Sequence, residues 1–130
     1  MLPSRPCFLF AIALLALAGR AHAEQVLAGA ALDRAVSGRR IFLATPLGGE
    51  FPLNYHADGR IDGQGEATGL GRFARPSDSG RWWVDGAQLC QKWTEWYAGK
   101  TFCFTLRKVD GGRLAWERDD GVSGIARVAP

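Results

Sequence analysis

Asp-Gly pairs punctuate this chain at Asp58-Gly59, Asp85-Gly86, Asp110-Gly111 and Asp120-Gly121. Short segments rich in aromatic and β-branched residues lie between them. Glycine takes positive φ without steric cost, so Asp-Gly between alternating segments is a strong hairpin signal. The segments are Arg40–Thr45, Phe51–His56, Arg81–Val84, Gln88–Trp93, Thr101–Lys108, Arg113–Arg118 and Ser123–Val128. Their regular spacing predicts a mainly β fold, a small antiparallel meander curled into a barrel or a sandwich. Ala28–Ser37 is the exception, a short amino-terminal helix. Ala28, Leu32, Ala35 and Val36 share one of its faces, and Gly38 follows in a C-capping position.

Gly63 to Asp78 breaks the strand pattern with Gly63, Gly65, Gly69 and Gly71, then Pro76. It reads as a long loop and as the expected mobile segment. It has no following lysine or helix, so it is not a phosphate loop.

The first 23 residues read as an export signal. Arg5 supplies the positive start, Phe8 to Ala18 is an unbroken apolar run, and Ala21-His22-Ala23 has the small residues of a cleavage site. The run stops at Gly19-Arg20, short of the roughly 20 apolar residues of a membrane span. No later segment is apolar enough to cross a bilayer. The expected mature chain is a single domain, residues 24–130, in the periplasm or outside the cell. Its 107 residues suffice for one modest core. Processing removes Arg5 and Arg20 from the 16 basic residues and leaves 13 acidic ones, so the net charge falls from +3 to +1. A near-neutral domain without a basic run offers no footprint for nucleic acid.

Two cysteines remain after processing, Cys90 and Cys103. An even count in a small exported chain implies a disulfide. Pairing them across antiparallel strands sets Gln91 opposite Phe102, Leu89 opposite Phe104 and Trp93 opposite Lys100. Phe102, Phe104 and Leu106 then share the core face, with the disulfide on the other. Such a short closed loop contributes roughly 2.5–3 kcal/mol. Trp82 and Trp83 are successive, so one should point in and the other out.

The chemistry-bearing residues argue against an enzyme. His56 is the sole histidine of residues 24–130, and no Gly-x-Ser-x-Gly elbow is present. His56 reads as a partly exposed strand residue rather than a base. One histidine and no free thiol exclude an ordinary zinc site. Asp58, Asp62 and Glu66 recur every four residues but lack a calcium-loop frame, and read as solvated turn carboxylates. Glu50, Glu66, Glu95 and Glu117 are the carboxylates any exported domain carries, so a hydrolase using an acidic pair is the least favoured class. No catalytic residue, metal or cofactor is expected.

The positive signal is aromatic. Trp93, Trp96 and Tyr97 fall within five residues around the loop Thr94–Gly99. They are the candidate binding residues, a platform for a protein, small-molecule or glycan partner. The competing reading is a plug, in which large rings close one end of the barrel. The plug is the simpler packing solution.

Ser37-Gly38, Tyr55-x-x-Asp58-Gly59, Ser79-Gly80-Arg81-Trp82, Leu89-Cys90, Trp93, Cys103 and Asp120-Gly121 occur here together. In this the chain resembles uncharacterised families of small bacterial exported proteins with a Gly-x-Trp…Leu-Cys…Cys pattern. The resemblance covers roughly residues 35–125, with Arg81 where such patterns commonly carry threonine. It implies a periplasmic β-rich domain and no catalytic residues. Small periplasmic inhibitors of lysozymes or proteases are also disulfide-bearing β-barrels, a similarity of architecture alone. The leading expectation is a non-enzymatic periplasmic binding or interaction module. The alternative is an inhibitor of an exported hydrolase, inserting Gly63–Asp78 or Trp93–Tyr97 into a cleft.

Overall fold

The computed structural model describes residues 25–44, 49–64 and 77–130. The export signal therefore lies outside the described residues. A helix, α1 (Gly29–Val36), precedes eight strands: β1 (Arg39–Ala44), β2 (Glu50–Tyr55), β3 (Arg60–Gln64), β4 (Ser77–Asp85), β5 (Gln88–Trp93), β6 (Thr101–Val109), β7 (Arg113–Arg118) and β8 (Ser123–Val128). Each strand pairs antiparallel with the next, and β8 returns to β1 through Ile41↔Val128, Phe42↔Arg127 and Leu43↔Ala126. The meander closes into an up-and-down barrel, not a sandwich. Closure leaves none of the described strands with an unpaired edge.

Eight strands enclose an interior just wide enough for side chains to fill. Strand alternation sends Ile41, Leu53, Tyr55, Ile61, Trp82, Leu89, Trp93, Leu106, Leu114 and Ala126 inward, and all are buried. Gln91 is the one buried polar residue among those described. It accepts a 2.7 Å hydrogen bond from the Tyr55 hydroxyl, which satisfies both groups. Burial pushes the Tyr55 phenol above its ordinary range, so it stays protonated as the donor.

The disulfide forms as the sequence implies. Cys90 and Cys103 face each other directly, with Leu89↔Phe104 and Gln91↔Phe102 on either side. The bond lies on the outer face, where Trp83 is the cross-strand neighbour of Cys90. Trp82 points in and Trp83 points out, 41% exposed. Leu106 and Phe102 are buried, whereas Phe104 is only half-buried, packed edge-on against Trp116 at 5.7 Å.

One strand goes unseen in the sequence. β3 carries a single large apolar residue, Ile61, and its Gly63 reads as a breaker. Gly63 and Gln64 belong to β3, and Ser77 to Gly80 extend β4 beyond the expected Arg81–Val84. The expected Gly63–Asp78 loop is therefore shorter at both ends, and residues 65–76 lie outside the described residues. Gly63 marks crowding, not loop. A Cβ on Gly63 would lie 2.8 Å from Leu53 Cδ2 and 3.0 Å from the Trp96 ring, and one on Gly80 would overlap the Lys92 carbonyl oxygen. Glycine inside a strand is tolerated where another group needs that space.

The helix closes one end of the barrel. Leu32 and Val36 are fully buried one turn apart. Leu27 N–H donates to the Leu106 carbonyl at 2.9 Å, Gly29 N–H to Gly86 at 2.8 Å, and Gly38 N–H to Tyr55 at 2.8 Å. Gly38, at φ 71°, thus turns the chain from α1 onto the barrel rim rather than back to a helix carbonyl.

Candidate functional site

The opposite end of the barrel gathers the aromatic loop. Trp93 ends β5 facing inward and is buried. Beyond it the chain makes a tight 3-10 turn, Trp96–Gly99, before β6. Trp96 folds back into the mouth of the barrel and is 9% exposed. Its ring lies 4.6 Å from that of Trp93 and 5.3 Å from that of Phe51, and it rests on Gly63. Trp93 and Trp96 thus form the plug. Of the three rings, Tyr97 alone is exposed, at 56%.

The turn is anchored from β4. The Asp78 carboxylate accepts the backbone N–H groups of Glu95 and Trp96, both at 2.8 Å. The Ser79 carbonyl accepts the Thr94 N–H at 3.0 Å and its hydroxyl at 2.8 Å. Within the turn, Ala98 N–H donates to Glu95 and Lys100 N–H to Tyr97. These bonds hold two consecutive non-glycine residues in the left-handed region, Tyr97 at φ 55° and Ala98 at φ 54°. Side-chain-bearing residues pay about 1–2 kcal/mol each for that conformation.

Tyr97 is not isolated. Its ring meets Phe102 edge-on at 5.2 Å. The Arg118 guanidinium lies 4.4 Å over the Phe102 ring and 5.7 Å from that of Tyr97, and Lys100 Nζ lies 5.3 Å from Phe102. Asp120 grips Arg118 in a two-point pair, at 2.7 and 2.8 Å. That hydrogen bonding holds the Asp120 carboxyl below the usual carboxylate range and raises the guanidinium, with partial burial opposing the rise. The result is a rigid patch of one exposed phenol, one stacked guanidinium and one ammonium. Deeper in the same end, the buried indole N–H of Trp116 has no hydrogen-bond partner among the described residues, and its ring packs onto Gly124.

A second polar cluster sits on the outer surface of β2 and β3. His56 follows β2, and its Nε2 pairs with Asp62 Oδ2. Asn54 donates to the other Asp62 oxygen at 2.8 Å. Partial burial pushes the Asp62 carboxyl up. The hydrogen bonds from Asn54 and His56, with the charges of His56 and Arg60, outweigh it and hold the group below its ordinary value. The His56 carbonyl also accepts the Trp82 indole N–H at 2.9 Å, tying this corner to the core. Both side chains of the pair are over one-third exposed. The arrangement orients an imidazole but presents it to open solvent.

Asp58 and Asp62, the two described members of the carboxylates spaced at four residues, turn to different partners. Asp58 pairs with Arg60 at 2.8 Å, Asp62 faces His56, and Glu66 lies outside the described residues. Among the described residues no group of three or more histidine, cysteine or carboxylate side chains could hold a metal ion. No helix among them is long and apolar enough to cross a membrane.

Sequence reasoning places Trp93, Trp96 and Tyr97 together but misses Asp78, Phe102 and Arg118 as parts of the same patch. Asp78 reads as the end of a loop, and its partners lie 17 and 18 residues away. Only the β4–β5 pairing joins them.

No protein-family model, curated protein or solved structure matches this chain.

Proposed function

We propose that this chain is a non-enzymatic binding module of an oxidising, exported compartment, and that Tyr97 with Arg118 and Lys100 forms its contact patch. The observation that carries this reading is the strained turn. Two adjacent residues are held at positive φ by hydrogen bonds from another strand, and the outcome is one exposed ring beside a guanidinium. Backbone strain of this kind persists where surrounding structure over-determines it, and it concentrates at ligand clamps and binding loops. Tyrosine and arginine are the residue types that dominate binding hot spots. A pre-organised loop also avoids ordering costs on association. Trp93 and Trp96 contribute as the support beneath the patch rather than as contact rings. The partner is a protein or glycan surface.

Export and a periplasmic location rest on the Phe8–Ala18 run and the Ala21-His22-Ala23 site, and on the resemblance to small exported bacterial proteins. The disulfide accords with both, since such bonds persist in oxidising compartments.

The test is affinity capture from a periplasmic extract, with wild-type protein and Tyr97→Ala side by side. A partner retained by the wild type and lost with Tyr97→Ala supports the module. If that partner is an exported hydrolase whose activity falls on binding, the patch acts as an inhibitor's loop instead. Identical captures with both baits would remove Tyr97 from the contact surface and sink the reading.

A further inference from the structure

At the helix-capped end, far from Tyr97, a groove of about 500 Å³ opens between α1 and the β6–β7 turn. That is the size of a small-molecule site. Its floor is apolar, with Leu114 and Val128 among its residues, and its rim carries Arg34, Arg39, Lys108 and Arg113. Among the described residues, no acidic one lines it. Residues 24–130 have 14 basic and 13 acidic side chains, so four cations without a lining carboxylate are a local arrangement, not a reflection of overall charge. Arg113 is paired with Asp110 at 2.7 Å. Arg34, Arg39 and Lys108 form no ion pair with any described residue. Asp33 neighbours Arg34 on α1, but adjacent helix positions do not face the same way.

We propose that this groove binds a small amphipathic anion, a carboxylate or phosphate head on an apolar body. Guanidinium groups match both heads with two parallel hydrogen bonds, and an ammonium adds a point charge. Like charges around a cleft with apolar walls focus the field onto an entering anion. The apolar floor takes the body and leaves the head at the cationic rim. The proposal is independent of the Tyr97 patch, which lies at the other end of the barrel.

The experiment is an NMR titration of the disulfide-intact protein with octanoate, octyl phosphate, 1-octanol, acetate and inorganic phosphate. Octanoate or octyl phosphate should shift the signals of Leu114 and Val128. The better of the two should bind about tenfold tighter than octanol and than either bare anion, a difference of about 1.4 kcal/mol. Which of the two binds tighter assigns the head. The Arg39→Ala/Lys108→Ala variant, altered at two exposed positions, should lose about tenfold in affinity for the anion and none for octanol, with its unfolding temperature unchanged. Anions binding no better than octanol would overturn the proposal. So would an unaffected double variant, or shifts confined to the Trp96 end.

Discussion

Asp78 and Trp96 are joined by a 2.8 Å hydrogen bond from the backbone N–H of Trp96 to the Asp78 carboxylate, across the β4–β5 pair. One contact therefore sets two things: the ring that closes the barrel and the turn that displays Tyr97. Replacing Asp78 with alanine should leave two backbone donors without this acceptor and cost about 1–3 kcal/mol. The near-ultraviolet dichroism of the tryptophans should weaken with it. An Asp78→Ala protein with unchanged stability and an unchanged tryptophan signal would mean the turn holds itself.

Trp96→Ala should destabilise the fold by about 3–5 kcal/mol, as for any core aromatic. Trp83→Ala, on the outer face, should cost far less, within about 1 kcal/mol. Chemical denaturation of the two variants side by side checks the assignment. Equal losses would contradict a plug at Trp96 and an outward ring at Trp83.

Ala98 has the conformation glycine prefers, and its side chain is exposed. Ala98→Gly should therefore stabilise the protein slightly, by up to about 1 kcal/mol, because relief of the left-handed strain exceeds the entropy glycine adds to the unfolded chain. A clear loss of stability would show that the turn is not strained at this position.

Cys90→Ala/Cys103→Ala should lose roughly 2–4 kcal/mol relative to the oxidised protein. Reduction of the wild type should produce a similar drop. If thiol labelling finds both cysteines free in native material, the staple is absent and the drop will not occur.

Asp62 governs an acid-side dependence. Its folded carboxyl lies below the ordinary value of roughly 4. The unfolded chain therefore takes up the proton first as pH falls. Stability from this group is present above the ordinary value and is lost as pH drops through the folded one. Asp58, Asp110 and Asp120 are lowered too, by Arg60, Arg113 and Arg118 respectively. The comparison must therefore be differential. Asp62→Asn should be less stable than wild type near neutral pH, and the gap should narrow at an acid pH below the ordinary carboxylate value. Urea unfolding at both pH values decides it, and a gap that widens in acid would reverse the sign of the argument.

The amino-acid sequence alone determined the class of fold, the register of the stapled hairpin and the packing of α1. These follow from local rules. Asp-Gly turns impose hairpins, alternation sends one of Trp82 and Trp83 inward and the other outward, and Leu32 and Val36 recur at helical spacing. Tertiary structure decided what local rules cannot express. Closure into a barrel depends on β8 meeting β1, a pairing between distant segments with no turn between them. β3 became a strand although Gly63 argues against one, because that glycine makes room for the Trp96 ring. The same closure separated the three aromatic candidates. Trp93 and Trp96 were drawn into the mouth to exclude water from the core. Tyr97 stayed outside because the Asp78 anchor forces the chain to turn there. Which ring is buried and which is displayed depends on a carboxylate 18 residues away, and only the folded sheet brings it within reach.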